Sequence, residues 1–198
     1  MHELLGGARL EYWPSFLSTT EQAQLYEELH AGLALRVLPV RVFGRLHKQP
    51  RETSWHAPGS YSYSGLTLEP QPWTPELHEL RERIRQHCGM DFPSVLVNHY
   101  RDGSDRMGWH ADDEPELGED PVIASLSLGA TRRFRLKHKQ QKQAKHSLDL
   151  EGGSLLLMDG ATQRHWLHSL PATKKPVGGR LNLTWRPWVT KTSSRPAT

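Results

Sequence analysis

From Asp91 onward the chain consists of short apolar segments, each broken by turn residues before it reaches helical length. Val95-Leu96-Val97-Asn98-His99-Tyr100 is the first, and a strand around Val122 to Leu128 follows Pro121. Phe134 and Leu136 then alternate with Arg133, Arg135 and Lys137. Ser154 to Met158 follows Gly152-Gly153, and Arg180 to Arg186 comes last. Side chains two apart on a strand share a face, so alternation marks sheets with one buried side. Many short strands at close spacing point to a sandwich or jelly roll.

Upstream of Asp91 the periodicity is helical. Ser18-Thr19-Thr20-Glu21 reads as a capping box, Leu25 and Leu29 follow at helical spacing, and Gly32 is a stop. Thr74 and Pro75 open a second helix with Leu77, Leu80, Ile84 and Cys88 as its buried stripe and Gly89 as its end. Between the helices, residues 33–47 read as extended, with Val40, Val42 and Phe43 in a strand or hairpin ending at Gly44. Lys48 to Pro72, rich in Pro, Gly, Ser and Tyr, reads as a structured loop with short strands. The expected fold is therefore mainly β with flanking α helices.

A single cysteine, Cys88, excludes an internal disulfide and fits a reducing intracellular compartment. No apolar run approaches the ~18 to 20 residues of a membrane span, and the N-terminus lacks a basic-then-apolar signal. The expectation is a cytoplasmic protein, nuclear if its source is eukaryotic, with no membrane partner. Lys and Arg number 25 against 22 Asp and Glu, so net charge says little about partners. Distribution says more. Arg132, Arg133, Arg135, Lys137, Lys139, Lys142 and Lys145 form a basic run free of acidic residues, which reads as a phosphate footprint or a solvated loop.

His110 and Asp112 lie two apart, so on an extended strand an imidazole and a carboxylate face one point. His168, in the strand-like run His165-Trp166-Leu167-His168, offers a third ligand. Two His and one carboxylate make a facial triad that leaves metal positions open, as in non-haem Fe(II) oxygenases. With twelve histidines in the chain the pair alone is weak evidence. The last strand strengthens it. Arg180, Asn182, Thr184 and Arg186 share one face, Leu181, Leu183 and Trp185 the other. Two inward guanidiniums need acidic partners, which Asp112 and a dicarboxylate cosubstrate would supply. Without the triad, the same strand reads as an amphipathic edge strand in water.

Together these motifs resemble the AlkB-type Fe(II)/2-oxoglutarate-dependent nucleic-acid dioxygenases. The resemblance is carried by Asn98-x-Tyr100, His110-x-Asp112-Asp113-Glu114, His168-Ser169-Leu170-Pro171 and Arg180-x-Asn182-x-Thr184-x-Arg186, in matching order and spacing. Val42-Phe43-Gly44 and Tyr61-Ser62-Tyr63-Ser64-Gly65-Leu66 look like the branch that holds the double-strand DNA repair demethylases. The likeness runs over roughly residues 10–188.

The resemblance implies a double-stranded β-helix (jelly-roll) core over 93–188, an N-terminal extension over 1–92 with helices and a nucleotide lid, and a frayed tail over 189–198, all in one monomeric domain. It implies Fe(II) on His110, Asp112 and His168, with 2-oxoglutarate and O2 as cosubstrates. It places the far carboxylate of 2-oxoglutarate on Arg186, with Asn98, Tyr100, Asn182 and Thr184 assisting and Arg180 near the metal carboxylate. The implied activity is oxidative removal of N-methyl groups from bases of the N1-methyladenine and N3-methylcytosine type, in single- and double-stranded DNA, with release of formaldehyde. RNA or a protein is the alternative substrate. Phe43 is implied as an intercalating wedge, Arg51 as a backbone contact, and Tyr61, Tyr63 and Ser64 as lid residues. Asp113 and Glu114 suit selection of a cationic base, and equally suit surface acids in a turn. A hydrolytic or structural zinc site and a silent nucleic-acid-binding module remain open beside this reading. His99 and His165 point away from the site by alternation.

Overall fold

The computed structural model describes residues 1–42, 45–63 and 66–189, and of the side chains at 40–46 and 63–66 it describes none. Two N-terminal strands, β1 (His2–Glu3) and β2 (Arg9–Trp13), precede helix α1 (Thr19–Gly32). A hairpin of β3 (Pro39–Val42) and β4 (Arg45–Lys48) leads to β5 (Glu52–His56) and a second hairpin, β6 (Tyr61–Tyr63) and β7 (Leu66–Leu68). Helix α2 (Pro75–Cys88) is followed by β8 (Ser94–Tyr100), β9 (Met107–His110), β10 (Ile123–Gly129) and β11 (Arg132–His138). Then come β12 (Lys145–Leu150), β13 (Leu155–Met158), the short α3 (Gly160–His165), β14 (Trp166–Leu170) and β15 (Arg180–Arg186).

The strands form a seven-stranded sheet, β1-β2-β13-β10-β15-β8-β5, and a four-stranded sheet, β12-β11-β14-β9. Their pairings are antiparallel, so the expected jelly-roll architecture is what the chain adopts. The period-two pattern explains the layering. On β15, Leu181, Leu183 and Trp185 pack with Leu77, Leu80 and Ile84 of α2 and Leu29 of α1. Each leucine buried in that layer contributes roughly 1.5–3 kcal/mol. Between the two sheets lies a second apolar layer, with Leu10, Ile123, Leu156 and Met158 facing Phe134, Leu136, Leu150 and Trp166.

Both helices start and stop where local chemistry places them. The Ser18 hydroxyl accepts from the Glu21 N–H at 3.2 Å, and the Glu21 carboxylate accepts from the Ser18 N–H at 3.4 Å. Thr74 caps α2, and Gly89 ends it at φ +69°, a left-handed conformation that only glycine adopts at no steric cost.

Three local expectations need correction. Residues 1–92 are no appendage to the core, because β1, β2 and β5 are strands of the larger sheet. In the run His165-Trp166-Leu167-His168 only His165 is not strand: Asp159 accepts from the Thr162 N–H at 2.8 Å and caps α3, which runs to His165, and β14 begins at Trp166. Asp112 lies past the end of β9, in a bend, and not on the strand itself. The tail from residue 190 on lies outside the described residues.

Candidate metal centre and cosubstrate cleft

His110 ends β9 and His168 lies on β14, and the antiparallel register sets them directly opposite one another. Their rings are 4.2 Å apart. Ligand atoms of His110, Asp112 and His168 all fall within 4.8 Å of each other, the one such cluster among the described residues. The bend after β9 brings Asp112 in, and Gln163 of α3 fixes it by accepting from the Asp112 backbone N–H at 3.0 Å.

His110 and Asp112 are in the state a metal requires. His110 donates from Nδ1 to the Gly108 carbonyl at 2.9 Å, which leaves Nε2 as the lone-pair nitrogen. Burial, then the neighbouring His168, pushes the His110 imidazole down to about 3, so it is neutral at pH 7. Burial alone would raise the Asp112 carboxyl, but Arg186 and His168 override it and hold it below the ordinary carboxylate range. Two imidazoles and one carboxylate on one side of an open cleft fit a divalent iron with positions left for other ligands.

That cleft has a volume of about 620 Å³ out to its open mouth. Its floor is the polar face of β15 with Asn98 and Tyr100 of β8, as the alternation predicts. Asn98 accepts from Arg51 Nε at 2.7 Å, and Asn182 donates to Ser125 at 2.8 Å. Leu96, Met107, Phe134, Met158 and Leu170 supply the apolar wall.

The two arginines exchange the places expected of them. Arg186 forms the ion pair with Asp112 and lies over the Tyr61 ring at 5.4 Å. Arg180 is 1% exposed and lies 5.5 Å from the Tyr100 ring, donating to Ser127 at 2.9 Å. Its Nε and Nη1 have no hydrogen-bond partner. Burial, only partly offset by Tyr100, pushes this guanidinium down to about 10. A buried cation with two unused donor atoms fits one end of a dicarboxylate.

Tyr61 and Glu114 also line the cleft. Tyr61 stacks on Trp55 at 4.8 Å and hydrogen-bonds Glu114. Glu114 keeps its second carboxylate oxygen buried without a partner, and burial raises its carboxyl. Asp113 does not join them: it is exposed and pairs with Lys139 at 3.0 Å. Arg51, expected at a nucleic-acid backbone, is buried in the cleft wall and donates to Asn98. Phe43 and Ser64 lie outside the described residues, as does the Tyr63 side chain.

The basic run also changes character. Arg132 is buried and donates to the carbonyls of Asp102, Asp105 and Pro171, at 3.0, 2.8 and 2.8 Å. Arg133 is tied to Asp149. His99 faces away from the cleft and meets Glu52 at 2.7 Å and Tyr26 at 3.2 Å, as alternation requires. Ser125, Ser127, Phe134 and Gln163 were not singled out from the sequence. Ser125 and Ser127 alternate with Ala124, Leu126 and Leu128, and that period-two polar signal could have found them.

The family described as the 2OG-Fe(II) oxygenase superfamily matches residues 9–186. "DNA oxidative demethylase ALKBH2" of Mus musculus is 43% identical over 156 residues, covering 74% of this chain and 65% of that protein. "Alpha-ketoglutarate-dependent dioxygenase alkB homolog 3" of Homo sapiens is 37% identical over 190 residues, covering 91% of this chain and 66% of that protein. The chain thus spans less than two thirds of the length of these relatives. A solved structure described as "The structure of OsALKBH1" superposes with a TM-score of 0.63 at 18% identity, over 89% of this chain and 97% of that one, a likeness of fold. With the donor triad and the arginine-lined cleft in place, the match is decisive: the chain belongs to the 2OG-Fe(II) oxygenase superfamily, whose cofactor is Fe(II) and whose cosubstrates are 2-oxoglutarate and O2.

Proposed function

We propose that this protein is an oxidative demethylase of N-alkylated DNA bases of the N1-methyladenine and N3-methylcytosine type. The observation that carries the reading is one cleft lined by the three metal donors, by Arg180 with unused donor atoms and by Glu114 with an unused buried oxygen. A dianion suits Arg180 and a cationic base suits Glu114. The relative named as a DNA oxidative demethylase supports the same substrate class.

His110, Asp112 and His168 would hold the iron. When bound, iron with 2-oxoglutarate and O2 supplies the oxidation: CO2 leaves, succinate remains, and a methyl C–H of the substrate becomes C–OH that departs as formaldehyde. The remaining work belongs to the chain. Arg180 takes the far carboxylate of 2-oxoglutarate, with Tyr100 and Asn98 beside it. Arg186 keeps Asp112 ionised and in place. Tyr61 and Glu114 wall the base pocket, where the free Glu114 oxygen accepts from the exocyclic amino group of the methylated base. Such a base must leave the helix to reach the cleft, and one that has lost its pairing leaves most cheaply.

The finer assignments are part of the same proposal. The protein works as a monomer in the cytoplasm or nucleus on both single- and double-stranded DNA. Phe43 fills the gap left in a duplex, because an apolar wedge offsets part of an unstacking cost of about a few kcal/mol per step. The test is formaldehyde release from methylated single- and double-stranded oligonucleotides, with succinate formed one to one. Phe43→Ala should impair duplex substrates and spare single strands. Turnover on methylated RNA or a protein alone would replace DNA as the substrate, and no release from any nucleic acid would end the reading.

A further inference from the structure

Among the described residues, the strongly exposed large apolar side chains are Met1, Leu5, Val189 and Trp109. Trp109 alone of these adjoins a metal donor, as the chain neighbour of His110 on β9. It is 43% exposed, and β9 is the edge strand of the four-stranded sheet. Successive strand residues face opposite ways, so His110 turns into the cleft and Trp109 onto the outer face of that sheet.

The outer face is cationic. Lys137 sets its ammonium 4.5 Å from the Trp109 ring. Arg135 lies two residues back on β11, and Lys145 is the cross-strand partner of Lys137 on β12. Arg133 and Lys139 are neutralised by Asp149 and Asp113. Arg135, Lys137 and Lys145 have no ion-pair partner among the described residues, and Arg135 and Lys145 are exposed. An apolar protein partner would use the ring and strand these charges. A polyanion would meet the charges and ignore the ring. A single-stranded nucleic acid uses both, because its bases stack on aromatic faces while its phosphates meet cations.

We infer that Trp109 is a stacking platform for a nucleotide flanking the one held in the cleft, with Arg135, Lys137 and Lys145 meeting the phosphates of that single-stranded segment. The inference rests on the nucleic-acid reading above. It concerns how the strand is held outside the pocket, where β9 separates the cleft from the outer face by the thickness of one strand.

The probe is a fluorescently labelled, unmethylated oligothymidine, with binding read by anisotropy on the full chain. Trp109→Ala should weaken binding about tenfold at fixed salt, within the range for one stacked base, whereas Trp109→Phe should stay within about threefold of the original because a smaller ring still stacks. Lys137→Ala should flatten the dependence of log K on log salt by about 0.7, the release expected for one phosphate contact on a single strand. Thermal melting confirms that each variant is folded. Unchanged affinity in Trp109→Ala, or equal losses in the Ala and Phe variants, would overturn the platform, and an unchanged salt slope would overturn the phosphate contact. Formaldehyde release by the unsubstituted protein separates the two levels. If it demethylates while Trp109→Ala binds normally, only the platform fails. If it neither binds nor demethylates nucleic acid, the proposed function falls and the platform with it.

Discussion

Replacing Arg180 by Met should abolish tight binding of 2-oxoglutarate while leaving the protein without cosubstrate at least as stable as before. In the folded chain Arg180 is 1% exposed, its Nη2 donates to Ser127, and Nε and Nη1 lack partners. A hydrogen bond to a charged group contributes about 1.5–3 kcal/mol, so two of them to a carboxylate contribute about 3–6 kcal/mol. At 1.4 kcal/mol per decade, the dissociation constant should rise about a hundredfold or more. Stability should move the other way. Burial disfavours this cation enough to push it down to about 10, and Met fills similar space with no charge to desolvate. Calorimetric titration of 2-oxoglutarate, with Mn(II) in place of iron to prevent turnover, reads the first effect, and the melting temperature without ligand reads the second. Near-normal affinity in Arg180→Met, together with lost affinity in Arg186→Met, would restore the assignment expected from the family resemblance and refute this one.

Asp112→Ala should eliminate stoichiometric Fe(II) binding and also lower stability by about 3–5 kcal/mol, because Arg186 loses the carboxylate it is buried against; iron analysis and denaturant unfolding check the two losses. Gln163→Leu should leave the Asp112 backbone N–H without its acceptor, at a cost of about 1–3 kcal/mol, and weaken metal binding about tenfold, as a Co(II) titration would show. Normal metal affinity there would mean that the bend holds Asp112 unaided. Arg132→Met should lower the unfolding midpoint substantially, because three carbonyls from two loops lose one shared donor group. Cys88 should alkylate slowly at pH 8: its thiol is pushed up to about 11 by burial, so the reactive thiolate is scarce until the pH approaches that value. Iodoacetamide labelling at the rate of a free thiol would contradict this.

What the sequence determined by itself is what lies within a few residues of itself. The Ser18 and Thr74 caps, the Gly89 stop and the alternation on β8, β11 and β15 are local, because a side chain bonding its own backbone or a period of two needs no distant partner. The polar floor of Asn98, Tyr100, Asn182 and Thr184 was legible for the same reason, whereas the bend that brings Asp112 to His110 and the register that sets His168 opposite them were not. Nor were the places of Arg180 and Arg186. They share one strand face but sit six residues apart, roughly 20 Å along an extended chain. Which one meets Asp112 depends on where β15 lies against β8 and β10, and the register pairs Arg180 with Tyr100 and Arg186 with Ser94. The same holds for Asp113 and Glu114, adjacent acids of which the bend after β9 turns one to Lys139 and the other to Tyr61. Arg132 reads in sequence as one more member of a basic run, yet three carbonyls brought together from residues 102, 105 and 171 make it a buried clamp. A charge shows only its type in sequence. Its partner is chosen by strand register and chain bends that bring distant segments together, and in this protein that choice separates structural arginines from the one left open to a cosubstrate.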